Sequence, residues 1–137
     1  MWIVRRLMAL LVLTWACVSF GQELPEGRLM RFPDIYKDKI AFSYGGDLWL
    51  VASAGGIARR ITTHPGLELF PKFSPDGKWI AFTGQYDGNF NVYVIPAEGG
   101  DPKQLTFLPD VATVSERMGP NNMVIDWLRE GKSFVLV

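Results

Sequence analysis

The sequence of 137 residues has one cysteine, Cys17, and one histidine, His64. A single thiol cannot close a disulfide within the chain. A zinc site draws mainly on Cys and His, and one of each is too few of the usual ligands. Charge of one sign is also missing, since Lys plus Arg and Asp plus Glu both number 14. Without a basic stripe there is nothing to neutralise a phosphate backbone, which excludes nucleic acid as an expected partner. The longest apolar run, Leu7 to Val18, falls short of the ~20 residues of a comfortable membrane span. Beyond it no stretch keeps a convincing 3.6-residue apolar period, so long amphipathic helices are not expected.

Apolar residues make up 48%, charged residues 20% and aromatics 13%, with 14 Gly and 9 Pro. That balance is globular rather than disordered. Aromatics mixed with turn residues suggest short strands joined by tight turns. At the N-terminus, Arg5 and Arg6 precede the apolar run, and Ser19-Phe20-Gly21 puts small residues at the −3 and −1 positions of a cleavage site. Residues 1–21 therefore read as a signal peptide cleaved before Gln22, giving an exported, periplasmic protein. An uncleaved anchor over Trp2 to Phe20 is the second reading. A lipid on Cys17 is the third, because Trp15 is bulky where a lipobox wants small residues. Cleavage would remove Cys17, Arg5, Arg6 and no acid, so the mature chain carries two more acids than bases.

The remainder repeats itself. Lys39-Ile40-Ala41-Phe42 recurs as Trp79-Ile80-Ala81-Phe82, an offset of 40. Asp47-Leu48-Trp49-Leu50-Val51 recurs as Asn91-Val92-Tyr93-Val94-Ile95, Ala54-Gly55-Gly56 as Glu98-Gly99-Gly100, and Arg60-Ile61-Thr62 as Gln104-Leu105-Thr106, all at 44. Four extra residues thus fall within Thr83 to Phe90, a polar Gly-containing stretch that suits a loop. A third copy starts at Asp126-Trp127-Leu128 and runs to Leu136, matching Lys72 to Phe82 at an offset of 54. There Leu128-Arg129-Glu130 replaces Ser74-Pro75-Asp76, which weakens the turn.

Each copy reads as four strands. In the second these are Leu69 to Ser74, Lys78 to Thr83, Asn91 to Ile95 and Lys103 to Thr106, with turns at Pro75-Asp76-Gly77 and Gly99-Gly100-Asp101. Trp79, Ala81 and Thr83 share one face, and Ile80 and Phe82 the other, so the sheet should be covered on both sides. Four-stranded units of about 40–45 residues are the signature of a β-propeller. The expected fold is all-β: antiparallel propeller blades forming an incomplete ring. Blade 1 spans about 31–63 and blade 2 about 66–107, and blade 3 starts from about 110 and is truncated. With too few blades to cover every sheet face, the chain alone is expected to fold poorly or aggregate.

Phe73-Ser74-Pro75-Asp76-Gly77-Lys78-Trp79-Ile80-Ala81-Phe82 resembles the repeat of TolB-type and tricorn-type propellers. The flanking Leu67 to Pro71, Tyr93 to Gly100 and the opening Arg31-Phe32-Pro33-Asp34-Ile35 bring residues 28–137 closer to tricorn protease homologues. The resemblance implies the start of an N-terminal propeller that gates peptide substrates or products in an exported serine peptidase. It also implies missing C-terminal domains as partners, peptides or proteins as ligands, and a possible homo-oligomer of the parent. The catalytic residues of that family lie far downstream, so none is carried over. Two alternatives stand beside it: a non-catalytic TolB-type envelope propeller that binds proteins, and the propeller of a prolyl-oligopeptidase-like hydrolase.

Single residues offer little chemistry of their own. His64 lies in Thr63-His64-Pro65-Gly66, the expected link between blades, and no nucleophile-elbow sequence accompanies it. Asp87-Gly88-Asn89 resembles a fragment of a calcium loop but lacks the further acids, so a hairpin turn is expected. Gly45-Gly46, Gly55-Gly56 and Gly99-Gly100 match no phosphate-binding spacing and follow the repeat, as turn glycines do. Trp49, Trp79 and Trp127 are expected to pack between blades. Glu68, Asp76 and Glu98 are scattered acids with no pairing visible in the sequence. No catalytic, cofactor or metal residue is assigned, and no cofactor is expected.

Overall fold

The computed structural model describes residues 29–107, 122–130 and 134–136. The signal-peptide reading and the stretch around Asp110 to Asn121 lie outside these residues. All regular structure among them is β. The first sheet is a meander of β1 (Arg31–Tyr36), β2 (Lys39–Tyr44), β3 (Asp47–Ala52) and β4 (Arg59–Arg60). The second repeats it with β5 (Glu68–Phe73), β6 (Trp79–Gly84), β7 (Asn91–Pro96) and β8 (Lys103–Gln104). β9 (Val124–Trp127) and β10 (Phe134–Leu136) pair as a third. Every pairing is antiparallel. The all-β, blade-like architecture read from the repeat is what the chain adopts.

The registers of the first two sheets are superimposable. Lys39 pairs with Ala52 as Trp79 pairs with Pro96, and Tyr44 with Asp47 as Gly84 with Asn91. The hairpin that needs only Gly45 and Gly46 in the first sheet becomes the loop 85–90 in the second, so the four extra residues sit there. The six glycines of the three Gly-Gly pairs all have positive φ. At Pro75-Asp76-Gly77 the turn is held by side chains as well as backbone. The Gly77 N–H donates to Ser74 O (2.8 Å), and Asp76 Oδ1 accepts from the Ser74 hydroxyl (2.6 Å) and the Lys78 N–H (3.0 Å). Gly77 has φ 70°, and a Cβ there would lie 2.0 Å from Tyr36 Cε1, so no larger residue fits without moving that ring.

The pleat sends alternate residues to opposite faces. Ile80 and Phe82, with Tyr93 and Ile95 beside them, pack against Ala41, Leu48 and Leu50 of the first sheet. Ala81, Val92 and Val94 point the other way, against Val124 with Trp127 alongside. The second sheet is therefore buried on both faces, as its apolar strands required. Polar contacts fix the stacking: Asp34 Oδ2 accepts the Phe73 N–H (2.7 Å), and Trp127 Nε1 donates to Lys72 O (2.8 Å). Thr83 Oγ1 donates to Asn122 O (2.9 Å) and accepts the Val124 N–H (3.2 Å).

The first strands carry a feature the sequence reading missed. β1 slips register between Arg31 and Asp34, and β5 between Leu69 and Lys72. Each bulge holds a Phe-Pro pair, with Phe32 at φ 52° and Phe70 at φ 55°. A β-bulge is where a sheet tolerates proline. The two rings meet at a centroid distance of 4.2 Å.

Phe82 fills the space between the first two sheets and is fully buried, whereas Trp79 is 44% exposed at the start of β6. In the full-length protein, Phe82→Ala should lower the unfolding free energy by about 3–5 kcal/mol. Trp79→Ala should cost under about 1 kcal/mol. Urea denaturation of both variants checks this, and equal losses would contradict the face assignment.

Candidate functional site

Between the first two sheets one edge of the stack is built from three segments: the Gly45–Gly46 turn, the linker 61–67 and the loop 85–90. At its centre is Glu68, the first residue of β5, completely buried. Three donors converge on its carboxylate. The Thr62 hydroxyl and the Leu48 N–H (3.2 Å) donate to Oε2, and the Tyr86 hydroxyl donates to Oε1 (2.8 Å). The Glu68 N–H in turn donates to Gly46 O (2.8 Å). One side chain thus joins β3, the linker and the loop 85–90.

Burial pushes the Glu68 carboxyl above its ordinary value of 4.5, and the hydrogen bonds from Thr62, Tyr86 and Leu48 work against that rise. Asp47 nearby adds a smaller upward push. The Tyr86 phenol is driven far above its usual range, first by burial and then by its bond to Glu68. At neutral pH it stays a donor.

The neighbouring junction shows what is general and what is local. Thr62 Oγ1 accepts the Leu48 N–H (2.8 Å), and Thr106 Oγ1 accepts the Val92 N–H (2.8 Å), 44 residues on. Arg60 Nε donates to Thr62 O (2.8 Å), and Gln104 Nε2 to Thr106 O (2.9 Å). Thr62 and Thr106 are therefore structural parts of the repeat. Where the repeat places Glu68, 54 residues later stands Asn122, which donates from Nδ2 to Phe90 O (3.1 Å). Arg60 pairs with Asp47 (3.2 Å), while the corresponding Gln104 and Asn91 are neutral. At these matched positions the first junction is charged and the second is neutral.

Two cavities flank Glu68. One, of about 320 Å³, lies along Thr62–Pro65, Tyr86 and Gly100–Pro102. The other, of about 340 Å³, opens among Leu29, Arg31, Phe32, Tyr44 and Leu67, with Ser43 in its wall. Gly66, between them, passes so close to the loop 85–90 that a Cβ would lie 1.9 Å from Gln85 O.

His64 does lie in the linker between sheets. Its Nδ1 accepts the Gly66 N–H (3.0 Å), and its ring lies on Tyr86 at 4.0 Å. These contacts give it a local structural job. Asp87 to Asn89 lie in the loop 85–90, and among the described residues no three His, Cys, Asp or Glu side chains gather as metal ligands. Trp127 packs between sheets as expected. Trp49 donates from Nε1 to Tyr44 O (3.0 Å), and Trp79 is half-exposed at a strand end, so the expectation of packing between blades is corrected for Trp79. Trp49 is paired with Phe42, on the face of the first sheet turned away from the second. Glu98 is held at the opposite edge by Lys39 and by Arg59, whose Nη1 donates to Glu98 O (3.0 Å). Lys39 is the main cause that lowers its pKa. The Ser74 hydroxyl does the same for Asp76. Among the three acids only Glu68 is buried at the junction between the two sheets.

Known proteins place the chain clearly. The family described as the tricorn protease N-terminal beta propeller domain matches residues 27–137. The chain belongs to that family. It is 33% identical over 107 residues to tricorn protease homolog 1 of Streptomyces coelicolor, covering 78% of this chain and 9% of the homologue. The crystal structure of the tricorn protease superposes with a TM-score of 0.52 at 31% identity, over 57% of this chain and 8% of that one. TolB of Bordetella pertussis is 40% identical over 55 residues, covering 39% of this chain and 13% of TolB. This tricorn-type chain therefore spans less than a tenth of the full-length tricorn proteins it matches. The sheets are propeller blades.

The raised pKa of Glu68 has a sign. The folded state keeps this proton to higher pH than the unfolded chain does. Its stabilising contribution is full below about 4.5 and is lost as pH rises through the raised folded value. In urea denaturation of the full-length protein from about pH 4 to pH 7, Glu68→Gln should remove that fall from the profile. Tyr86→Phe should move the fall to higher pH and cost about 1 kcal/mol. Profiles that run parallel in all three proteins would rule the assignment out.

Proposed function

We propose that the chain forms the first blades of the N-terminal propeller of an exported, tricorn-like serine peptidase, and that this propeller admits or releases peptides. The observation that carries the reading is the family match across residues 27–137. The two cavities, lined largely by linker and turn residues, support it, because propellers bind through loops rather than through their sheets. Hydrolysis itself falls to parts of the parent beyond this stretch, and the blades supply shape and selection. The protein partners are the other domains of the same parent, or copies of it. Residues 1–21 support export as a cleaved signal peptide.

The full-length protein should hydrolyse unstructured peptides, spare folded proteins, and lose activity on treatment with a serine-reactive fluorophosphonate. Its mature form in the periplasmic fraction should begin at Gln22. Absence of both hydrolysis and labelling would end the peptidase reading. The similarity to TolB over 55 residues favours a second one in that event, a propeller that only binds proteins.

A further inference from the structure

The cavity at the start of β1 has an uneven chemistry. Leu29, Phe32, Tyr44 and Leu67 are 65%, 36%, 41% and 46% exposed, so four large apolar side chains left in water converge on one opening. Isolated exposed apolar residues are ordinary, but a cluster rimming a cavity marks a binding surface. The volume of about 340 Å³ lies within the range of small-ligand pockets. Its shape is imposed by backbone. Phe32 sits there in a left-handed conformation, fixed by the bulge and braced on Phe70. The same left-handed bulge recurs at Phe70, so the repeat fixes this shape before any ligand arrives.

The polar groups give the occupant its sign. Arg31 is the one charged residue lining the cavity, and it makes no ion pair with another described residue. The Ser43 hydroxyl in the wall is buried and has no hydrogen-bond partner among the described residues. A buried polar atom without a partner is costly unless something supplies one. Glu68, the nearest acid along β5, is turned the other way onto Thr62, Leu48 and Tyr86. Among the described residues the lining thus combines apolar walls, one cation without an ion pair, one unmet hydroxyl and no acid.

We propose that this cavity is a peptide subsite that takes one large apolar side chain and pairs an adjacent carboxylate of the same peptide with Arg31. It deepens the peptide-handling reading and rests on it for the class of ligand.

The test uses the full-length protein and three capped dipeptides: acetyl-Asp-Phe-amide, acetyl-Lys-Phe-amide and acetyl-Asp-Ala-amide. Calorimetric titration should give the tightest binding to the first. The lysine peptide should bind about fivefold more weakly, the scale of a single exposed ion pair. The alanine peptide should also bind more weakly, having little to bury. Arg31→Glu, a change at an exposed position, should reverse the order of the acidic and basic peptides. Leu67→Asp should weaken both. A photoreactive analogue, with benzoylphenylalanine in place of Phe, should label residues 29–46 or 67–69. Binding that ignores Arg31→Glu, or labelling elsewhere, overturns the proposal. So does an equal response to all three peptides. Hydrolysis by the same preparation is read separately. Cleavage without labelling here sinks the subsite alone, and labelling here without cleavage sinks the peptidase reading alone.

Discussion

Ile80 and Phe82 on one side of β6, and Ala81 on the other, leave the second sheet no face to turn to water. Everything else in the stack follows from that double burial. Apolar attraction is strong but has no direction, so by itself it would let neighbouring sheets slide. The contacts that fix their offset are polar and few. Asp34 takes the Phe73 N–H from the next sheet, Trp127 reaches back to Lys72 O, and Thr83 joins Asn122 and Val124. Each ties a strand of one sheet to the sheet that follows it. Area holds the blades together, and these bonds set where they sit.

Glu68 applies the same logic at a higher stake. A carboxylate taken out of water is costly unless donors replace its hydration. Here a hydroxyl from the linker, a backbone N–H from β3 and a phenol from the loop 85–90 do so. Removing any one donor leaves a charge less well met, which makes the three segments depend on each other. Asn122, at the matching place one junction later, needs less and binds a single carbonyl of the preceding loop. An ionisable hub between the first two sheets and a neutral one after the second is a difference the repeat alone does not demand.

Much of this was legible in the sequence, and the reason is periodicity. Four matched segments at offsets of 40 and 44 located strands, turns and the inserted loop, because a repeat reports structure twice. The faces of β6 followed from alternation. What escaped was non-local or locally contrary. Phe-Pro within a strand reads as an interruption, yet Phe32-Pro33 and Phe70-Pro71 are paired bulges; their recurrence 38 residues apart was the available signal. Glu68 looked like a scattered acid because its partners stand 6, 18 and 20 residues away in sequence. Thr62 and Thr106 were inside the matched segments, and their shared hydroxyl bond to the third strand could have been suspected from that identity. Trp79 misled because a residue at a strand end can have the right face and still lack a neighbour to cover it.

The departures from the repeat are also where binding space appears. In the first sheet Gly45 and Gly46 close the hairpin with no side chain above it, so Leu67 and Tyr44 border an opening instead of filling it. In the second the longer loop 85–90 brings Tyr86 back over Glu68 and under the His64 ring, sealing the hub from the other cavity's side. Identical blades would bury identical residues and leave identical edges. By shortening one hairpin and lengthening the next, the chain keeps the sheet registers unchanged and alters only what the edge of the stack presents. The apolar faces are committed to neighbouring blades, so selectivity has to be carried by those loops and by the bulged first strands.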